Sequence, residues 1–295
     1  MAMDAVTQHS DVKLHSPILV AAFRGWNDAG DSASFAAQHL VRVWGAEKLA
    51  SIDPEEYYDF QAVRPQVELV DGITRKIVWP ANEFWSAQLG TDHDVILLIG
   101  TEPSHRWRTF CEVIVEVARK HDVGLVITLG ALLADVPHSR PVHITGTAAD
   151  PNLVAKLGLQ RSRYEGPTGI VGVLHDAFGQ AGIDSASLWA AVPHYLSVSP
   201  NPKAALALVT TAMGLIGADA SVDDLEAAAR LYEERVTDMV AGDDDVRAYV
   251  RLLEERSDER AQEDVFENPI DPANLPSGDA LAAELERFLR ESDDS

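Results

Sequence analysis

Cysteine is almost missing: one residue, Cys111, in a chain of 295. No intramolecular disulfide can form, and no paired-thiol metal or redox motif exists. Cys111 sits in a helical stretch beside Phe110, Val113 and Ile114, so it reads as a small core residue rather than a nucleophile. Basic residues are also scarce, with 24 Lys and Arg against 47 Asp and Glu and a net charge of −23. Nucleic acids and anionic membranes are bound by clustered cations, so neither is expected as a partner. Long apolar runs are lacking too. Those present, such as 18–23 and 95–99, fall far short of the roughly 20 residues that span a bilayer. Residues 1–12 are polar and acidic, unlike a secretion signal, and a cytoplasmic protein is expected.

Chemical motifs are equally sparse. There is no Gly-X-Ser-X-Gly elbow, Walker spacing or dinucleotide fingerprint. His138 and His143 are five apart across Pro141, and His105 and His121 fall at the two ends of one helical stretch. None of these pairs has ligand spacing beside a carboxylate or thiolate, so no metal and no cofactor is expected.

What is present is ordinary globular composition, 46% hydrophobic and 24% charged, enough for a sizeable core. Short apolar runs (17–23, 48–52, 95–99, 123–129, 142–147, 187–195) alternate with helical spacing over 31–43, 106–121, 168–179 and 202–216. Asp150-Pro151 opens a further short helix. Such alternation predicts an α/β fold with a mixed, mostly parallel sheet covered by helices. Asp71-Gly72, between the runs 67–70 and 74–79, signals a hairpin. Charge divides the chain: residues 221–295 hold 23 acidic and 8 basic side chains, and strand patterns stop at Ala220. We expect a flexible N-terminus over 1–14, a core domain over 15–220 and an acidic C-terminal helical module over 221–295. That module reads as two helices meeting at Gly242 and a last short one at 277–290.

Gly25-Trp26-Asn27-Asp28-Ala29-Gly30 is the leading candidate site. It follows the first strand, at the carboxyl edge where open α/β sheets bind ligands. Asp31 or Ser32 is placed to cap the next helix. The acidic residues make it a poor phosphate cradle, leaving a structural turn, a subunit or partner contact with Trp26 as anchor, or a small-ligand site. In Gly166-Pro167-Thr168-Gly169, Thr168 is placed to cap a helix, which leaves either a tight structural turn or an anion site at the helix N–H groups, helped by Arg161 and Arg163. Glu102 follows another buried strand and either pairs with Arg106 or joins it in holding a polar ligand. His194 follows Pro193 at a strand end, as a loop residue or a lone acid or base.

These segments also carry a resemblance. In order they are 23–31 with its Gly-Trp-Asn-Asp, Tyr58-Asp-Phe60 with Arg64-Pro65, Gly100-Thr-Glu-Pro103 with Arg106-Trp107, and Thr128-Leu-Gly-Ala131 leading to Asp135-Val-Pro137 and Thr145-Gly-Thr147. Tyr164-Glu-Gly-Pro-Thr-Gly169, Ser187-Leu-Trp189, Pro193-His-Tyr195 and Pro200-Asn-Pro202 follow. The series resembles the proteasome assembly chaperone 2 family in its actinobacterial form, over about residues 15 to 290. The resemblance implies a phosphorylase/hydrolase-like fold, a homo-oligomer (a homotrimer by analogy), and proteasome subunits as partners. It implies a noncatalytic assembly role. The chain ends Arg290-Glu-Ser-Asp-Asp-Ser295, without the hydrophobic-tyrosine tail by which some relatives dock. The alternative is an enzyme or small-ligand-binding protein on a nucleoside-phosphorylase-like fold, which needs Glu102, Arg106, His194 or Asp28 to converge in one pocket.

Overall fold

Strands that are apolar on both faces must be covered on both faces, and the runs noted above become the centre of a sheet that has nine strands among the described residues. The computed structural model describes residues 5–148, 151–161, 164–196 and 198–264. In chain order the elements are β1 (Val6–Gln8), β2 (Ile18–Arg24), α1 (Ser32–Val43), β3 (Glu47–Ile52), β4 (Gln66–Val70), β5 (Thr74–Val78), β6 (Asn82–Ala87), β7 (Val95–Thr101), α2 (Trp107–Lys120), β8 (Leu125–Ala134), β9 (Ile144–Ala148), α3 (Pro151–Leu157), β10 (Gln160–Arg161), α4 (Ile170–Ala181), β11 (Asp184–Pro193), α5 (Pro202–Ile216), α6 (Asp223–Ala241) and α7 (Asp244–Asp264).

The sheet order is β1-β3-β6-β7-β2-β8-β11-β9-β10, and β4-β5 stand apart as a ribbon of their own. The central strands β7, β2, β8 and β11 are parallel. Antiparallel pairs lie to either side: β1-β3, β3-β6, β6-β7 and β9-β11. This is the mixed, helix-covered sheet expected, with helices following it.

Alternation along each strand makes two cores. Val20 and Ala22 point towards α1 and α5, where Ala33, Ala37, Ala204 and Leu208 let the helices lie close. Leu19, Ala21 and Phe23 point towards α2 and α4, against Phe110, Ile114, Leu174 and Phe178. Cys111 is buried in this second core, where loss of hydration pushes its thiol up to about 12, so it remains an inert thiol.

Helix α6 lies on α5 and adds Leu225 to the first core. Further along, its buried Tyr232, Val236 and Val240 join Val250 of α7 in a smaller cluster against Tyr195 and Leu196. The helix expected at 277–290 lies outside the described residues, as do Asp150 and Arg163.

Two features of the structure go beyond the sequence reading. The N-terminal segment expected to be flexible supplies an edge strand, with Val6 opposite Ile52 and Gln8 opposite Ala50. Strand β6 is absent from the sequence reading because two of its inward residues, Asn82 and Ser86, are polar.

Candidate functional site

Parallel pairing places the residues that follow two adjacent strands side by side. Arg24 is opposite Thr101, so Gly25 meets Glu102, whose N–H donates to Arg24 O at 2.8 Å. Only glycine suits position 25: its φ is 131°, and a Cβ there would lie 3.1 Å from Cβ of Glu102. Strand β8 supplies the other side, with Ala131 N donating to Asn27 O at 2.9 Å.

The Glu102 carboxylate ties the two glycine loops into one junction. Its Oε1 accepts from Ile170 N at 2.8 Å and from Asn27 Nδ2 at 3.2 Å, and its Oε2 from Trp26 N at 3.4 Å. Gly169 closes the seam, since a Cβ there would fall 2.5 Å from the Asn27 amide. Helix α4 is therefore capped from a distance by Glu102. Thr168, expected to do so, directs its hydroxyl to Gly169 O at 3.4 Å instead. The N-terminus read as an anion site already holds a carboxylate.

Two further expectations are overturned nearby. Arg106 pairs with Glu56, not with Glu102. Asp28 caps α1 in place of Asp31 or Ser32: its carboxylate accepts from Ala33 N at 2.6 Å and Ser34 N at 3.3 Å. A single 3-10 turn, Ala29–Asp31, intervenes, and Asp31 is left-handed without a capping bond. Gly30 belongs to the same scaffold, its carbonyl accepting from Asn201 N at 2.8 Å. Burial raises the Asp28 pKa above the usual carboxylate range. Asp28→Ala should lower stability by about 1–2 kcal/mol in urea unfolding, the cost of a lost N-cap. Asp31→Ala removes no capping bond and should cost less, about 0.5–1 kcal/mol for placing alanine at a left-handed position. Equal losses would show that the cap is misassigned.

The junction seals inward and displays apolar side chains outward. Asn27 is 2% exposed, whereas Trp26 is 66% and Tyr164 67% exposed. Leu132 and Leu133 are also exposed, where β8 continues past Ala131. Tyr164 is fixed by a bond from its hydroxyl to Pro167 O at 2.8 Å.

His194 lies elsewhere, by the same register logic. Pro193 pairs with Ala134, so His194 meets Asp135, Nδ1 to Oδ1 at 3.0 Å. Its ring also contacts Tyr195 and Tyr249 edge-on, and Tyr249 donates to Asp135 at 3.2 Å. Tyr195 OH is 2.8 Å from both the backbone N and the Nδ1 of His138, whose Nε2 is 3.2 Å from Thr237 Oγ1. Burial lowers the His138 pKa and pushes the Tyr195 hydroxyl up to about 12. Arg140 forks onto Asp258 with two bonds of 2.7 Å. These groups dock α6 and α7 on the ends of β8 and β11. Sequence reasoning missed Asp135, His138, Tyr195 and Tyr249 as a unit; the signal was that polar and aromatic residues end both strands.

Among the described residues, Glu102, Arg106, Asp28 and His194 thus each bond to different partners. The cavity beside His138 and Pro141 holds about 10 Å3, the room of one water. A shallow cleft of about 310 Å3 lies between α5 and α6, lined by Lys203, Leu206, Arg230 and Glu233. Among the described residues no His, Cys, Asp or Glu group is arranged to hold a metal ion, and no helix is long and apolar enough to cross a membrane.

Comparison with known proteins adds independent findings. The model of the PAC2 family matches residues 22–240. A crystal structure of a PAC2 family protein from Streptomyces avermitilis is 47% identical with a TM-score of 0.74, covering 79% of this chain and 99% of that one. A Mycobacterium tuberculosis protein described as a proteasome-assembly chaperone homologue is 46% identical with a TM-score of 0.72, over 79% of this chain and 99% of its own. PbaB of Pyrococcus furiosus, an archaeal proteasome activator, is 17% identical with a TM-score of 0.65, over 79% and 97% of the two chains, and shares the fold. No curated protein matches the chain.

Proposed function

The chain belongs to the PAC2 family, and from that membership we propose that it is a noncatalytic, chaperone-like protein-binding factor. It works in the cytoplasm as a homo-oligomer, and proteasome subunits are the first client class to test. One observation carries this reading. At the carboxyl edge of the sheet, where an α/β enzyme opens a ligand crevice, the Glu102 carboxylate and the Asn27 amide fill the space between the loops. What faces solvent there is Trp26 with Tyr164, Leu132 and Leu133. Aromatic side chains displayed on a rigid, satisfied scaffold suit protein recognition, in which a few Trp and Tyr residues supply most of the binding energy. The description of the Mycobacterium tuberculosis relative as a chaperone homologue supports the same reading.

Affinity purification of the tagged chain from its own organism, with mass spectrometry of intact complexes, tests the proposal. Trp26→Ala should reduce recovered client roughly tenfold or more while leaving the melting temperature unchanged, because Trp26 covers no core. Clients retained in full by this variant would remove the site from the reading. A small molecule that raises the melting temperature, with no client recovered, would replace a protein-binding factor by a ligand sensor.

A further inference from the structure

One element is built to be covered and stands uncovered among the described residues. The connection from β3 to β6 leaves and returns at one point, since Ile52 pairs with Asn82. Its root is fixed: Tyr57 and Tyr58 are buried in the α2-side core, Tyr58 OH donates to Thr101 O at 2.5 Å, and Phe60 meets Trp79 edge-on at 4.9 Å. Beyond that root, β4 and β5 pair only with each other. The register sets Val67 opposite Ile77 and Leu69 opposite Arg75. Side chains alternate along a strand, so Val67, Leu69 and Ile77 share one largely apolar face with Arg75, and Trp79 follows two residues further on. Gln66, Glu68, Val70, Thr74, Lys76 and Val78 occupy the other, more polar face. Leu69 is 60% exposed and Ile73, at the tip, 85%. An antiparallel ribbon with one apolar face normally lays it on a core, and two strands alone are marginal in water.

We propose that the β4–β5 ribbon is an intersubunit arm whose apolar face is covered by a second copy of this chain. Charge selects that occupant. Residues 64–79 carry three basic side chains, Arg64, Arg75 and Lys76, and two acidic ones, Glu68 and Asp71, in a chain of net charge −23. Acidic copies repel one another, and the arm offers cations beside an apolar face to the acidic body of a neighbour. Size points the same way. A five-residue ribbon about 17 Å long presents roughly 300–400 Å2 per face, well below the about 800 Å2 per partner of a standard stable interface. A closed assembly in which every copy gives one arm and receives one doubles that contact for each subunit. This rests on the homo-oligomeric reading above.

The test uses the full chain in sedimentation velocity and native mass spectrometry. The unaltered protein should have a mass that is a multiple of 32.1 kDa. Val67→Asp/Ile77→Asp should raise the dissociation constant at least about 100-fold and return the 32.1 kDa species. Glu68→Ala/Thr74→Ala, on the opposite face, should leave the mass unchanged. Hydrogen exchange on the unaltered protein decides the matter if the Asp variant fails to fold: amides of residues 66–78 should be protected when concentrated and exchange on dilution. A monomeric unaltered chain would overturn both the arm and the oligomeric reading. An oligomer indifferent to the Asp variant, or arm exchange independent of concentration, would overturn the arm alone.

Discussion

Glu102→Ala is expected to lower the stability of the fold by about 2–4 kcal/mol. The carboxylate is the acceptor for three donors from two loops, Ile170 N, Asn27 Nδ2 and Trp26 N. Ile170 N is one of the N–H groups that a helix start leaves without an internal partner, and Asn27 is buried. Alanine leaves both without an acceptor, and hydrogen bonds to a charged group contribute about 1.5–3 kcal/mol each, less than additively. Glu102→Gln retains one oxygen for Ile170 N but turns an NH2 towards a donor, so it should lose only about 1–2 kcal/mol. Urea unfolding gives the totals, and hydrogen exchange at Ile170–Gly172 shows whether the start of α4 frays first. A loss below about 1 kcal/mol for Glu102→Ala, or a uniform rise in exchange, would show that the junction is held by packing rather than by this carboxylate.

The second large effect is a loss of stability between neutral pH and pH 4 that originates in His175. Its two ring nitrogens lie between hydroxyls: Nε2 is 2.9 Å from Thr128 Oγ1 and Nδ1 2.8 Å from Ser185 Oγ. Burial holds its pKa at about 4, against 6.5 for a free imidazole. Below pH 6.5 the unfolded chain takes up a proton that the folded one refuses. The stability this group contributes is thus complete above pH 6.5 and falls with pH down to about 4. Two and a half pKa units correspond to about 3.4 kcal/mol; His175 is only partly buried, and solvent screening reduces this to about 2–3 kcal/mol. The difference between the unaltered chain and His175→Gln, measured in urea from pH 7.5 to 4, should shrink by that amount. An NMR titration of the His175 ring should show it neutral at pH 5.5, and titration near 6.5 would sink the argument.

The sheet was legible because its central strands are buried on both faces. Runs such as Ile18–Phe23 and Val95–Ile99 have no polar face and fit nowhere else. The Asp71-Gly72 hairpin was legible from its turn alone, whose Ile73 N donates to Val70 O at 3.2 Å. Legibility failed where long-range pairing replaces local propensity. Strand β6 buries Asn82 by bonding it to Tyr58, 24 positions away, and no local pattern announces that. The site showed the same limit. Gly25–Gly30, Gly166–Gly169 and Glu102 were each visible as separate candidates. That Glu102 closes on Ile170 and Asn27, leaving Arg106 to Glu56, depends on the register of β2 with β7. Caps failed similarly: nearest-neighbour reasoning chose Asp31 and Thr168, but Asp28 reaches over a 3-10 turn and Glu102 comes from another strand. Membership of the PAC2 family was carried by the order of these segments more than by any one of them.

The position of β2 has a consequence for how the chain is made. It is the spine of the sheet, yet both its neighbours come later, β7 at Val95–Thr101 and β8 at Leu125–Ala134. A ribosome adding about 5–20 residues per second delivers the last residue of β7 roughly 4–15 s after the last residue of β2, and β8 later still. Throughout that interval a nascent strand of sequence Ile-Leu-Val-Ala-Ala-Phe has two unpaired edges and no cover. Over those seconds the exposed strand is the kind of apolar segment that holding chaperones cover during synthesis.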